Sequence, residues 1–422
     1  MEWTALLGPS VVGRLQEAGR LAAALGGEVW LVGGTVRDLL LGRSPTDIDL
    51  VTTCGGIALA EELAQAWGGR VVAFGEFDTA KVILSEGAFC DVAGCRSEDY
   101  PQPAVLPRVR PAGDLLTDLS RRDFTINALA IALHPCRWGQ LVDPFGGRSD
   151  LEDGLIRCLY DRSFIDDPTR LFRALRFAHR FDYRIHQGTG QLMVQAIEGG
   201  YVGRLSDARL GAEVEKLLGE ADPPRVLQRL AHWGLLQAIH HTWSAPGPEL
   251  AAYAQICRDL GRGCGGQVLQ PEGFLYLAGS LHHLPEEEVR IIARRLALSA
   301  RRQEKLVLIA ANWERICAGL AQPLPPSGIY NYLVGLPVEI LVIVASKTES
   351  PLVRKGIKAF WQELACVEIT LTGNDLLQMG YQRGPSIGRA LERILQDKLD
   401  GLVQDRAAEL ALARELLIEE GF

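Results

Sequence analysis

The nine cysteines of this 422-residue chain include no CxxC pair, and none sits in a cluster with histidine. That spread argues against a structural zinc site and against a disulfide framework, and a reducing interior is the simplest setting for it. Basic residues are in deficit, 44 Lys and Arg against 52 Asp and Glu, so the net charge is −8. The chain therefore lacks a global electrostatic footprint for nucleic acid, and any such binding has to use local patches. One candidate patch lies within residues 289–315, where Arg290, Arg294, Arg295, Arg301, Arg302, Lys305 and Arg315 face only Glu304 and Glu314. The most apolar late run, VGLPVEILVIVAS, carries Glu339 and falls well short of the roughly 20 residues a bilayer span needs. The opening MEWTALLGPS has no basic-then-apolar leader pattern, so a soluble, cytoplasmic protein with no membrane partner is expected. No adjacent His-Asp pair occurs among the eight histidines, which argues against a phosphohydrolase module of that type. His240-His241 and His282-His283 are expected at helix ends or on the surface rather than as ligands. There is no fixed-period repeat and no low-complexity tract.

What the chain does have is a patterned N-terminal third. Short apolar runs at 28–33, 47–53, 70–74, 79–85 and 88–95 read as strands, with helices over 1–24 and 57–67. Beyond about residue 150 the strand signal nearly vanishes and helical periodicity takes over, interrupted by Gly/Pro-rich breaks at 244–248, 261–266 and 323–328. The outline is an α/β head on a long all-α remainder.

Three segments carry chemistry. The first is Gly33-Gly34-Thr35-Val36-Arg37-Asp38, followed by Asp47-Ile48-Asp49. An apolar strand should end at the glycines, a short helix follow, and a second strand bring in the two aspartates. Side chains two apart in a strand share a face, roughly 7 Å between Cα atoms. That spacing lets both carboxylates grip the same divalent cations, and magnesium favours a few carboxylates plus substrate phosphate oxygens. The double glycine is neither a GxGxxG turn nor a GxxxxGK[ST] loop, so those nucleotide-binding classes lose support. A lone DxD is also compatible with a helix cap or a solvated strand edge; the other two segments shift that balance.

The second segment is Arg121-Arg122-Asp123-Phe124-Thr125-Ile126-Asn127-Ala128. Arginine offers a fixed fork of donors to phosphate oxygens, which suits a triphosphate site; a surface ion pair is the plain alternative. The third is Asp166-Asp167-Pro168-Thr169-Arg170-Leu171-Phe172-Arg173-Ala174-Leu175-Arg176. Pro168 after Asp167 is a good helix start, and positions 167, 170, 173 and 176 sweep an arc of about 180°. A carboxylate there can accept from the exocyclic amino group of adenine or cytosine, where uracil and guanine present a carbonyl. Asp167 with Arg170 would thus select A and C without a template. The plain alternative is that Asp167 only caps the helix.

Taken in this order, the segments resemble the class II tRNA nucleotidyltransferase and bacterial poly(A) polymerase family of the polymerase β superfamily. GGTVRDLLLGRSPTDIDLV looks like its motif A, RRDFTINALA its motif B, LVDPFGGRSDLEDGLIR its motif C, DDPTRLFRALRFA its motif D and RLSDARLGAEVEKLL its motif E. The tail segment 371–401 is also similar, so the likeness spans nearly the whole chain.

The resemblance implies an α+β fold: a small mixed α/β nucleotidyltransferase head at 1–145, then an elongated all-α neck at 146–210, body at 211–328 and tail at 329–422. It implies Asp47 and Asp49 as catalytic metal ligands for Mg2+. Gly34, Arg37 and Arg122 would contact the nucleotide, Asp167 and Arg170 would read the base edge, and Arg173 and Arg176 would complete the pocket. Asp91 stands where the superfamily often has a third carboxylate. The implied partners are the 3′ end of tRNA, ATP and CTP, the latter two used for CCA addition or its terminal A. A-only addition, poly(A) synthesis and non-catalytic RNA binding stay open. The segment between Asp91 and Arg121 is about full length, whereas CC-adding relatives are marked by a shortened loop there. Asp166-Asp167 replaces the usual Glu-Asp.

Overall fold

The computed structural model describes residues 3–419. They fall into two compact units, one comprising the chain through Glu213 with Trp233–Ala238, the other Val214–His232 with the chain from Ile239 onward.

The first unit is built on a seven-stranded mixed sheet. In chain order it contains α1 (Trp3–Ala24), β1 (Val29–Val32), α2 (Gly33–Leu40), β2 (Asp49–Thr52), α3 (Gly56–Trp67), β3 (Arg70–Phe74), β4 (Thr79–Leu84) and β5 (Gly87–Gly94). Next come β6 (Arg96–Asp99), β7 (Arg108–Pro111), α4 (Leu115–Ser120), β8 (Ala130–Ala132) and β9 (Leu141–Val142). The sheet order is β3-β4-β5-β2-β1-β8-β9, and β6 and β7 form a separate antiparallel hairpin. Only the β2–β5 pairing in the large sheet is parallel, with Asp49 opposite Asp91 and Leu50 opposite Val92.

The helix over Gly33–Leu40 begins at the first glycine itself, not after a turn. The strand bearing the acidic pair begins at Asp49, so Asp47 sits on a bend just ahead of it. VWLV of β1 is buried along its full length, as a central strand should be. One face packs Trp30, Val32 and Val51 against Leu115 and Leu119 of α4. At the far end, Asp78 adopts a left-handed conformation (φ 47°) and caps α3, its carboxylate accepting from the Gly56 and Ile57 amides at 2.9 and 3.1 Å.

After α5 (Gly147–Glu152) a short parallel pair, β10 (Leu155–Ile156) and β11 (Arg184–Ile185), brackets α6 (Ser163–Asp166) and α7 (Thr169–Arg180). The helices α8 (Gln187–Glu198) and α9 (Asp207–Leu218) follow. Leu171, Phe172, Ala174, Leu175 and Ala178 bury the back of α7.

The second unit is helical throughout, from Pro223–His232 to Arg406–Glu419. His282 stands at a helix end, as expected, and is buried there with its ring edge-on to Trp313. The unit departs from the sequence expectations in two places. Cys264 and Cys366 form a disulfide across a sequence separation of 102. The basic stretch is partly neutralised by acids from outside it, Arg302 pairing with Glu215 at 2.9 Å and Lys305 with Glu339 at 2.7 Å.

Candidate active site

The carboxylates are set by hydrogen bonds from α2. Thr35 Oγ1 donates to the Asp47 carbonyl (3.1 Å) and accepts from the Asp49 amide (3.0 Å), so the helix after the glycines clamps the acidic segment. The β2–β5 register puts Asp91 directly beside Asp49, and Lys81 of β4 lies opposite Asp91 with Nζ 3.3 Å from its carboxylate. Burial pushes the Asp49 carboxyl above the ordinary range, and Asp91 and Asp47 push it further, while Arg122 and Lys81 pull the other way. A carboxylate held beside two others asks for a compensating cation. Among the described residues no three His, Cys, Asp or Glu side chains close a complete metal site. A pair of carboxylates that leaves the remaining positions to phosphate oxygens and water is what magnesium-type sites use. Asp47 and Asp49 fit that role.

The backbone at position 33 favours glycine. Its φ is 64°, and a Cβ there would lie 2.8 Å from Nη1 of Arg122. Arg122 is held by Asp118 (Nη2–Oδ2 2.9 Å) and by the Asn127 carbonyl (3.3 Å), while its buried Nε has no hydrogen-bond partner. Arg121 also grips Asp118 and reaches Glu98 at 2.7 Å. Burial would raise the Asp118 carboxyl, but the two guanidiniums, Arg122 first, hold it below the usual carboxylate range.

A second network runs beneath the cleft. Arg37 donates to Asn127 Oδ1 at 2.7 Å, Asn127 donates to Asp123 at 3.0 Å, and Asp123 pairs with Arg173. Phe181 stacks beneath the Arg37 guanidinium at 4.8 Å. Asp123 is buried, which alone would raise its pKa; Arg173 and the Asn127 amide more than offset that and lower it.

Arg170 is only 4% exposed. Its guanidinium donates to the Arg121 carbonyl (2.7 Å), the Arg122 carbonyl (3.2 Å), Ser163 Oγ (2.8 Å) and Tyr160 Oη (3.3 Å). It thereby fixes the backbone that carries Arg121 and Arg122, through Nη1 and Nη2. Asp167 accepts three bonds at Oδ1, from the Thr169 amide, Thr169 Oγ1 and Arg209 Nη2.

All nine residues singled out in the sequence, Asp47, Asp49, Gly34, Arg37, Arg122, Asp167, Arg170, Arg173 and Arg176, line one cleft of about 860 Å³ within the first unit, together with Asp91. Five contributors were missed. Asp118 was legible, since a helical carboxylate three and four residues before two arginines sits on their face. Thr35 and Asp123 lay within quoted motifs and Glu98 between two of them; their partners Asp47, Asp49, Asn127, Arg173 and Arg121 lay in quoted motifs too, but no spacing paired them. Arg209 lies in the segment quoted as motif E and meets Asp167 from 42 residues away, a pairing that no local spacing announces.

A mixed sheet carrying paired carboxylates, faced by arginines and by an acid at a helix start, defines a nucleotidyltransferase. Residues 29–157 match the poly A polymerase head domain. The chain is 34% identical over 96% of its length to an A-adding tRNA nucleotidyltransferase of Geobacter sulfurreducens, but spans about half of that relative (47%). It is 32% identical to an A-adding tRNA nucleotidyltransferase of Halalkalibacterium halodurans, covering 95% of this chain and 91% of that one. It is equally 32% identical to a CC-adding tRNA nucleotidyltransferase of Deinococcus radiodurans, covering 92% and 90%. A solved CCA-adding enzyme in its apo form superposes with a TM-score of 0.86 at 30% identity, covering 98% of this chain and 96% of that one. The chain belongs to the class II tRNA nucleotidyltransferase family. Enzymes of this superfamily use divalent metals, which the carboxylate pair suits.

Proposed function

We propose that the protein transfers a nucleotidyl group from ATP to the 3′ end of tRNA, completing the terminal A, and does so in the cytoplasm with magnesium. The observation that carries this reading is the pairing, in one cleft, of the Asp47/Asp49 carboxylates with the Asp167–Arg176 helix. Divalent cations bound at the carboxylates supply charge stabilisation for the transferred phosphate and lower the pKa of the RNA 3′-hydroxyl. The chain's own residues do the rest. Arg122 presents its guanidinium to the triphosphate, and Arg173 and Arg176 extend that basic wall. Asp167 accepts from the adenine amino group and so disfavours uracil and guanine. Positioning of this kind supplies several kcal/mol of the barrier reduction.

Addition of A rather than of CC alone is supported by the segment after Asp91. It builds the β6–β7 hairpin, whose connecting loop docks at Ala104: the Ala104 amide donates to the Asp166 carbonyl (3.1 Å) and its carbonyl accepts from Arg209 (2.7 Å). CC-adding members are marked by a shorter segment here. Full CCA addition shares the longer loop and is the second reading. We assign residues 1–145 as head, 146–210 as neck, and 211–328 and 329–422 as the tRNA-binding body and tail. The test is an extension assay with magnesium on three tRNAs, ending before CCA, after C, and after CC. Addition of one A to the CC-ending tRNA alone is expected. CTP addition to the shortest tRNA would favour the CCA reading, and unlimited A addition to unstructured RNA would overturn both.

A further inference from the structure

The sheet places two groups on the face of the catalytic carboxylates that none of the roles above absorbs. Paired residues in adjacent strands point to the same face, and so do residues two apart in one strand. Asp49 pairs with Asp91, Asp91 with Lys81, and Lys81 with Val72. One step along, Ala93 pairs with Thr79 and Thr79 with Phe74. Asp49, Asp91, Lys81 and Phe74 therefore share one face, running outward from the carboxylates to the sheet's edge strand, and Phe74 lines the same cleft as Asp47 and Asp49. The residue is 55% exposed. The neighbouring exposed aromatic, Phe77, is partly covered by the Arg96 guanidinium at 5.9 Å. Isolated exposed apolar residues are ordinary. Phe74 nevertheless stands apart from the other aromatics of the cleft wall, Tyr100, whose hydroxyl donates to Glu98, and Phe177, which is 5% exposed with guanidiniums against its ring, because its own ring forgoes burial in a place where a polar side chain would fit.

The position also has a direction. In sheet order the arginine side of the site, from the start of α2 after β1 and the segment before β8, lies on one flank of β2. Strands β5, β4 and β3 lie on the other flank. In-line displacement puts the attacking and leaving oxygens on opposite sides of the phosphorus. With the triphosphate against Arg122, the attacking 3′-hydroxyl has to arrive from the β5–β4–β3 flank. From the register and the exposure of this ring we infer that Phe74 and Lys81 form the subsite for the single-stranded 3′ end of the acceptor RNA, Phe74 stacking on a terminal base and Lys81 contacting a backbone phosphate. An aromatic platform beside a cation is the usual way to hold a single strand without reading its sequence. Lys81 already offsets one negative charge at Asp91, so the acceptor phosphate meets less repulsion on entering. The inference rests on the proposed transfer to an RNA end.

The test uses the full-length protein, with an acceptor tRNA carrying 2-aminopurine as its last base. Wild type should quench the probe on binding. Phe74→Ala should abolish the quench and raise KM for the acceptor about tenfold or more, with KM for ATP unchanged, and Phe74→Tyr should restore both. Lys81→Met should reduce the slope of log affinity against log salt by about 0.7, the contribution of one phosphate contact to a single strand. Unchanged acceptor KM and quench in Phe74→Ala, or a change confined to ATP, would overturn the subsite. If wild type extends no RNA at all, the proposed transfer fails first and takes the subsite with it; extension by wild type with an indifferent Phe74→Ala sinks the subsite alone.

Discussion

One guanidinium links Asp167 to the loop that precedes motif B: Arg209 Nη2 lies 2.7 Å from Asp167 Oδ1, while its Nη1 donates to the Ala104 carbonyl at 2.7 Å. Ala104 sits in the left-handed region (φ 65°), a conformation that costs a residue with a Cβ about 1 kcal/mol or more and persists only where the surroundings enforce it. Its amide is tied to the Asp166 carbonyl and its carbonyl to Arg209, so the enforcement comes from the C-terminal end of α6 and from α9. The three bonds at Asp167 Oδ1 turn the carboxylate and leave Oδ2 for a ligand.

Removing Arg209 should therefore loosen selection before it loosens catalysis. For Arg209→Ala we expect the preference for ATP over UTP, measured as a ratio of kcat/KM values, to fall about tenfold, with the larger share in KM. Arg209→Lys should recover little, since a single ammonium cannot hold Asp167 and the Ala104 carbonyl together. Asp167→Ala should show the same relaxed selection, and the double variant should be no worse than either single one, because the two residues act as a unit. Additive losses would place Arg209 outside the selection device.

Asp49 makes a prediction about pH with two signs. Its carboxyl is raised above the ordinary range by burial, then by Asp91 and Asp47. In the metal-free protein the folded state holds this proton more tightly than the unfolded chain does. Stability from this group is thus fully present below the unfolded value near 3.8 and is lost as pH rises through the raised folded value. Asp49→Asn should consequently raise the thermal midpoint of the metal-free protein at pH 7 while cutting transfer at least about a hundredfold. Acidification through that raised value should weaken magnesium binding by the metal-free protein, since the ionised form is the one that binds metal. A stabilised and fully active Asp49→Asn would remove the carboxylate from the chemistry.

The motifs made the inventory of the cleft legible, and they did so through residue types at short spacing: glycines ending a buried strand, two aspartates two apart, arginines on one arc of a helix. The partnerships were not legible. Arg37 was read as a nucleotide contact, yet it is 6% exposed and bound to Asn127, 90 residues on, with Phe181 beneath it. Arg170 was read as a base-edge donor and is held by two carbonyls of the Arg121–Arg122 backbone. An arginine fork matches a phosphate, a carboxylate and a pair of carbonyls equally well, so the residue type cannot say which it meets until the fold supplies the partner. Phe74 shows the same limit from the other side. Its run RVVAF reads as a strand, but only the register with Thr79 and Ala93 turns the ring toward the carboxylates.

In the tail, Glu409 is fully buried and accepts from the Thr370 amide (2.9 Å), Thr370 Oγ1 (2.6 Å), the Leu371 amide (3.1 Å) and Lys398 Nζ (2.6 Å). Burial would raise its pKa, but Lys398 and Thr370 outweigh it and hold the carboxyl below the ordinary glutamate range. Its contribution to stability is present above an unfolded value near 4.5 and is lost as pH falls through the lowered folded value. Glu409→Ala leaves two amides, a hydroxyl and an ammonium unpaired, at a cost of about 3 kcal/mol or more. Urea titration should show that loss, and Glu409→Gln should recover part of it. A change below about 0.5 kcal/mol in Glu409→Ala would mean that solvent replaces these bonds freely.

The Cys264–Cys366 bond closes a long stretch of the helical unit, and no CxxC or other short-range spacing marks the pair. In the chain-entropy account a crosslink across about 100 residues restricts the unfolded chain by about 4–5 kcal/mol. Cys264 stands in the Gly/Pro-rich break, where its amide donates to the Trp361 carbonyl at 3.0 Å, and Cys366 ends the 3-10 turn Leu364–Cys366 that follows the helix Pro351–Gln362. Trp361 Nε1 also donates to the Gly261 carbonyl at 3.1 Å, so hydrogen bonds hold the two segments together beside the crosslink. Reduction should therefore lower stability without separating them. With dithiothreitol the urea midpoint should fall while transfer at 25 °C is retained, because all the carboxylates and arginines of the cleft belong to the first unit. Cys264→Ser should unfold at the reduced midpoint whether or not reductant is present. An oxidised wild type that unfolds at the same midpoint as Cys264→Ser would show that the crosslink adds nothing to those bonds.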